Sequence, residues 1–154
     1  DILGEYYLNE LESDLGSEKY DTLLFNGTPS YISDLEAAFE KAYYALKKGG
    51  RIVVLDVPKE GSFAMLYNLA KTLGTWEHKL LKGIKPSSVY PIEFVKDANW
   101  RTTGEKVEIM EKVGFSNYRY AQTLTTHPLY ANDEFEEPQE GYQKGNYVAI
   151  CANK

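Results

Sequence analysis

The chain is poor in cysteine and histidine and has no long apolar run. Its 154 residues include one cysteine, Cys151. A lone cysteine forms no internal disulfide, which fits a reducing cytoplasm. The two histidines, His78 and His127, have no partner at metal-ligand spacing and read as surface residues, so no metal site is expected. No apolar stretch approaches the length that spans a bilayer, and no signal peptide is visible. Basic residues are the minority, with 17 Lys and Arg against 23 Asp and Glu, for a formal net charge of −6. A basic face for nucleic acid is therefore not expected. A phosphate-binding P-loop and a G-x-S-x-G nucleophile elbow are both missing.

What is present is ordinary globular composition, 43% hydrophobic and 26% charged, in a chain long enough for one domain with a sizeable core. The thirteen tyrosines are spread along the chain. Most should be half-buried, with a few lining a pocket for an aromatic or apolar ligand. The chain starts at Asp1 without a methionine, which reads as a processed or proteolysed piece.

Local patterns set an alternating order of elements. Residues 4–15 predict a short amphipathic helix with Tyr7, Leu8, Leu11 and Leu15 on one face. Thr22 to Phe25 predicts a strand that ends at the turn residues Asn26 and Gly27. Ser33 and Glu36 have capping-box spacing, and Leu35, Ala38, Phe39, Ala42 and Leu46 share one helical face. Lys47 and Lys48 suit that helix's negative end, and Gly49 is its expected left-handed terminator. Ile52 to Val57 is apolar without alternation, as in a strand covered on both faces.

A second helix is expected from a cap at Ser62, and a short one from Pro91 through Trp100. Thr102 and Glu105 form another capping box, before a helix with Val107, Met110 and Val113 inward and Gly114 at its end. Phe115 to Thr125 and Asn146 to Ala152 predict two more strands, joined by an acidic loop over 127–141. With no helix between them, they should be antiparallel neighbours. The expected fold is α/β, a partial Rossmann-like three-layer sandwich over residues 1–154. It has about four strands, parallel except for an antiparallel C-terminal one.

These motifs, in this order, resemble the second half of a class I S-adenosylmethionine-dependent methyltransferase. Tyr20-Asp21 and the strand after it resemble the family's F-D-x-[VI] strand. Leu46 to Ile52, LKKGGRI, resembles its L-K-P-G-G-x-[LI] turn, with Lys48 in place of proline. Trp100-Arg101-Thr102-Thr103-Gly104-Glu105, then Val113-Gly114-Phe115, resemble its W-x-T-x-x-E helix and A-G-F ending. The likeness is greatest to the ubiquinone and menaquinone C-methyltransferase-like group. It implies S-adenosylmethionine as cofactor and a small-molecule acceptor.

The same resemblance assigns candidate residues. Asn26, Gly27 and Thr28 would form a wall beside the methionine part of the cofactor; the plain reading is a turn, and both readings can hold. Tyr31 would touch substrate or pack beside the helix cap. Asp56, at a strand's C-terminal end, would position a polar substrate group or cap the loop to Ser62. Segment 61–100 would be a lid over the acceptor, with Trp76 and Trp100 against it; alternatively its aromatics simply pack helices onto the sheet. Lys79, Lys82 and Lys85 read as a solvated helix face or as a small anionic-ligand or membrane-surface patch. Asp1 is set against the family's adenine-binding acid and reads equally as a solvated terminal residue.

Two of the family's parts are missing from these residues: the G-x-G-x-G loop and the acid that holds the ribose hydroxyls. The chain alone is therefore expected to be inactive. An alternative reading is a non-catalytic half-domain. In it the strand at 22–25, lacking its family neighbour, is an open edge that pairs with a second copy of the chain or is covered by residues 1–19.

Overall fold

A computed structural model describes residues 15–131, 133 and 135–154. The helix expected over 4–15, and Asp1, lie outside the described residues apart from Leu15. Strand β1 (Tyr20–Asn26) is followed by a 3-10 turn (Pro29–Tyr31), α1 (Leu35–Ala45) and β2 (Leu46–Asp56). Then come α2 (Ser62–Leu73), a 3-10 turn (Lys79–Leu81), α3 (Ile92–Asp97) and α4 (Thr103–Val113). Strand β3 (Ser116–Thr123), a 3-10 turn (Pro128–Tyr130), β4 (Gln139–Glu140) and β5 (Tyr147–Asn153) complete the chain. The sheet order is β1-β2-β5-β3-β4. β1 and β2 are parallel, as a helical crossover permits, and β5 runs antiparallel to both β2 and β3.

The expected strands are all present, and the acidic loop contributes a fifth, the two-residue β4 paired to Ala121 and Gln122. It was invisible beforehand because two residues carry no periodicity. Helix α1 begins one residue later than expected. Asp34, not Ser33, is the cap, and its carboxylate accepts from the Ala37 N–H at 2.9 Å. It ends earlier too. Leu46 is already paired to Tyr20, and Lys47 to Gly50 bulge outward between that pair and Thr22–Arg51. Gly49 does take a left-handed φ of 73°, but inside this bulge. A Cβ on Gly50 would lie 2.9 Å from the Lys47 carbonyl oxygen, so the second glycine is required by close backbone approach. Lys47 leaves the helix dipole and instead donates to both carboxylate oxygens of Asp21 at 2.9 Å.

Phe25, Ile52, Val54, Val148 and Ile150 point to one face of the sheet and pack under Leu35, Phe39 and Ala42 of α1 and Met110 of α4. Alternate residues of β2, Val53 and Leu55, are only half-buried. This differs from the expected double cover, because the described helices that pack on the strands lie on the other face. β1 is the sheet edge among the described residues, and Leu24 on it is 62% exposed.

A second apolar cluster lies beyond the C-terminal ends of β1, β2 and β3, built on Phe63, Leu66, Tyr67, Trp76, Leu81 and Trp100. The cap expected of Ser62 comes from far away. Gly61 is the N-cap residue, and Asn146 Oδ1 accepts from the Phe63 N–H at 3.0 Å and from Ser62 Oγ at 2.9 Å. Asn146 also donates to the Leu124 carbonyl. Helix α3 stops at Asp97, short of Trp100. The excursion from β2 is closed at its base where the Lys59 N–H donates to the Arg101 carbonyl at 3.1 Å. The Arg101 guanidinium in turn donates to the carbonyls of Pro29, Ile32 and Ser33. The Thr102–Glu105 capping box forms as expected, with both reciprocal bonds. Asn117 takes φ 57° where β3 shifts register, which accounts for the poor alternation there.

Candidate functional site

At the C-terminal end of the parallel strands a cavity of about 70 Å³ opens among Gly27, Ser30, Tyr31, Asp56, Trp100 and several further aromatic side chains. The strand ends place these residues. Gly27 follows β1 at φ 66° and donates its N–H to the Leu55 carbonyl of β2 at 2.8 Å. Tyr31 sits on the 3-10 turn that Arg101 clamps, and the Ser30 carbonyl accepts from the Asn99 N–H at 2.7 Å. Tyr147 reaches in from β5 and donates its hydroxyl to Asn26 Oδ1 at 2.6 Å. Tyr67 and Tyr90 complete the wall, with Tyr67 stacked at a tilt on Trp100 at 5.3 Å between centroids.

Asp56 is the one acid in the lining. Its Oδ2 lies 3.3 Å from Lys106 Nζ, and its Oδ1 accepts from Ser30 Oγ at 3.3 Å. Burial pushes its carboxyl above the usual aspartate range, against the lowering pull of Lys106 and of hydrogen bonds from Val57 and Ser30. Burial also pushes up the phenols of Tyr31 and Tyr67, and that of Tyr147 to about 12. All three stay neutral hydrogen-bonding groups at physiological pH.

Of the residues singled out in the sequence, Gly27, Tyr31, Asp56 and Trp100 meet around this cavity, and Asn26 buttresses it through Tyr147. Asp56 accepts from the Val57 N–H at the start of the loop to Ser62, while the cap of α2 itself comes from Asn146. Thr28 lies behind the lining, at the start of the 3-10 turn. Trp76 does not line the cavity. It is buried in the second apolar cluster, where its indole N–H donates to the Tyr90 carbonyl at 2.7 Å and so holds Tyr90 in place. His78 and His127 cap their own turns, accepting from Leu80 and Leu129 N–H groups. Lys85 pairs with Glu77 at 2.8 Å rather than joining an open patch. Among the described residues no cluster of three or more metal-ligating side chains occurs, and no helix is long and apolar enough to cross a membrane.

Tyr67 and Tyr90 are among the aromatics of the 61–100 segment; Lys106, Ser30 and Tyr147 were not anticipated. Lys106 had a signal: it falls three residues after Thr103 and four before Met110, on the inward face of α4. A lysine at a core position calls for a buried acid.

Compared with solved structures, the chain has the fold of S-adenosylmethionine-dependent methyltransferases. One is such a methyltransferase of Thermotoga maritima, named as a possible histamine N-methyltransferase. It is 30% identical with a TM-score of 0.73, over 90% of this chain and 58% of that one. Another, a methyltransferase of Archaeoglobus fulgidus, is 12% identical with a TM-score of 0.53, over 96% of this chain and 64% of that one. A phosphoethanolamine N-methyltransferase of Haemonchus contortus, solved with S-adenosylhomocysteine, is 13% identical with a TM-score of 0.55, over 94% and 36%. Among curated proteins, an uncharacterised one from Methanocaldococcus jannaschii is 28% identical over 137 residues, 89% of this chain and 57% of that one. No family model matches. The chain spans somewhat more than half the length of the first relatives it matches. The resemblance read from the motifs thus holds for the fold, without singling out the quinone C-methyltransferase-like group.

The cavity is several waters in size. It is far below the roughly 300–1,000 Å³ of a site that encloses a drug-sized ligand. This cavity alone therefore does not enclose a ligand of that size.

Proposed function

We propose that the chain forms the acceptor-side part of an S-adenosylmethionine-dependent methyltransferase acting on a small molecule. The observation that carries this reading is the convergence of Gly27, Tyr31, Asp56 and Trp100 on one cavity at the C-terminal strand ends. Open α/β sheets bind their ligands there.

S-adenosylmethionine, when bound, supplies a methyl group on a positively charged sulfur. The chain's own residues then have to align an acceptor and exclude water. Asn26, Gly27 and Thr28 form the wall on the cofactor side, with Asn26 held by Tyr147. Tyr31 and Trp100 flank the acceptor, and Asp56 offers it a carboxylate. Segment 61–100 covers it, and Trp76 acts through Tyr90 as a positioning residue.

Calorimetric titration with S-adenosylmethionine tests the reading, on this chain and on a version extended by whatever natural sequence precedes Asp1. Binding by an extended version supports it. A longer protein that fails to bind sinks it.

A second reading rests on the bare β1 edge with Leu24 exposed. In it the chain is a binding or assembly module that associates through that edge, with no catalysis of its own.

A further inference from the structure

The cavity beside Asp56 has an unusual lining for its size. Five aromatic side chains, Tyr31, Tyr67, Tyr90, Trp100 and Tyr147, surround it, together with one carboxylate. No lysine or arginine is in the lining. Lys106 is not in the lining but pairs with Asp56 at 3.3 Å, both side chains nearly fully buried, and offsets part of its charge, so the preference for a cation rests mainly on the ring faces. The groups that act electrostatically on the Tyr31, Tyr67 and Tyr147 phenols are other phenols and the carboxylates of Asp56 and Asp97. Aromatic faces and a carboxylate both favour a cation, and desolvation strengthens each.

A second, larger cleft of about 450 Å³ adjoins the first and shares Tyr67 and Tyr90 with it. Its remaining wall includes Phe63, Val89, Pro91 and Leu124 and carries no charged side chain. The two spaces therefore differ in chemistry across a common pair of rings. The inner one suits a small positive head, and the outer one an apolar body.

Resting on the methyl-transfer reading above, we infer that the acceptor is an amine with an apolar or aromatic body, its nitrogen in the cavity beside Asp56 and its body in the cleft beyond Tyr67 and Tyr90. The amine would bind as its ammonium and would lose one proton to water before its nitrogen could accept a methyl group. Anionic acceptors are disfavoured because the ring faces and Asp56 repel them, and Lys106, the cation beside the cavity among the described residues, is already paired with Asp56. Neutral alcohols of the same shape keep a hydrogen bond to the carboxylate but lose the attraction of a cation to the ring faces.

The experiment titrates the 154-residue chain with three probes of one body and three heads: 2-phenylethylamine, 2-phenylethanol and phenylacetate. Chemical-shift changes at the Trp100 indole and at Gly27 report on the cavity. The amine is expected to bind at least tenfold more tightly than the alcohol, and phenylacetate most weakly. Equal affinities, preference for the acid or no binding of the amine at the cavity overturns the inference. Titration of the upstream-extended version with S-adenosylmethionine reads out the methyl-transfer proposal separately, because neither result fixes the other.

Asp56→Asn is the direct variant, and it should lower the amine-to-alcohol ratio only in part. Since it disturbs a buried ion pair, Tyr90→Leu is run beside it. Tyr90 is 59% exposed, and its link to Trp76 uses its backbone carbonyl. Loss of its ring should lower the amine-to-alcohol ratio several-fold in a folded protein. An unchanged ratio in Tyr90→Leu overturns the inference.

Discussion

Asp56 and Lys106 stand fifty residues apart in sequence and meet at 3.3 Å, with side chains 4% and 2% exposed. The pair joins the end of β2 to the inward face of α4. Removing only the cation strands a buried carboxylate, which typically costs about 3–5 kcal/mol. Lys106→Met should therefore lower stability by that order in urea unfolding. The double variant Asp56→Asn with Lys106→Met should recover at least half of the loss, because no charge then remains buried.

The same carboxylate gives a sign to the pH dependence. Its folded value is raised by burial, so the folded state holds the proton more tightly than the unfolded one. Its contribution is then most favourable below the ordinary aspartate range. It declines as pH rises from that range through the raised folded value. A carboxyl carbon titration of Asp56 by NMR should show a midpoint above the ordinary range. In Asp56→Asn the corresponding segment of the stability–pH curve should flatten.

Thr103 points the other way. Its Oγ1 is buried and has no hydrogen-bond partner, while its N–H is satisfied by Glu60. Thr103→Val keeps the shape and deletes the orphaned group, so a gain of about 1 kcal/mol is expected from thermal unfolding. A loss of that size would show that the hydroxyl has a partner in solution.

Asn146 caps α2 from the start of β5 and ties it to Leu124. Asn146→Ala leaves the Phe63 N–H and the Leu124 carbonyl without their side-chain partner, at an expected cost of about 1–3 kcal/mol. Hydrogen exchange at Phe63 should rise by more than at Ala38, which lies within α1.

The β1 edge predicts self-association of the 154-residue chain. Leu24 is exposed on a strand whose described partner lies on one side only. Leu24→Lys should weaken any dimer seen by sedimentation velocity, as charges do on natural sheet edges. A parent chain that is monomeric at all concentrations contradicts the proposed edge pairing.

How much of this was legible depended on range. The β1-α1-β2 unit and the Thr102–Glu105 box are written in contiguous residues, and both were read from spacing alone. So was the antiparallel β3–β5 pair, from the lack of a helix between them. The cap of α2 was misread because Ser62 is locally plausible, whereas Asn146 is 83 residues from the Phe63 amide it accepts from. Lys106 shows the same limit in a different form. Its position on α4 was in plain view, but its meaning required knowing that β2 ends against that face. Tyr147 and Tyr90 reach the cavity only because the sheet order and the Trp76 hydrogen bond bring them there. Tyr90 is marked in the sequence only as one of the aromatics of segment 61–100, and nothing beside Tyr147 distinguishes it from the other tyrosines.

The rung between Lys59 and Arg101 makes the segment between them a loop whose two ends are already joined. Lengthening such a loop costs conformational entropy that grows only with the logarithm of its length. Residues over the cavity can thus be inserted, deleted or exchanged while the strands beneath keep their register. A sheet with this closure can change what it accepts without being rebuilt.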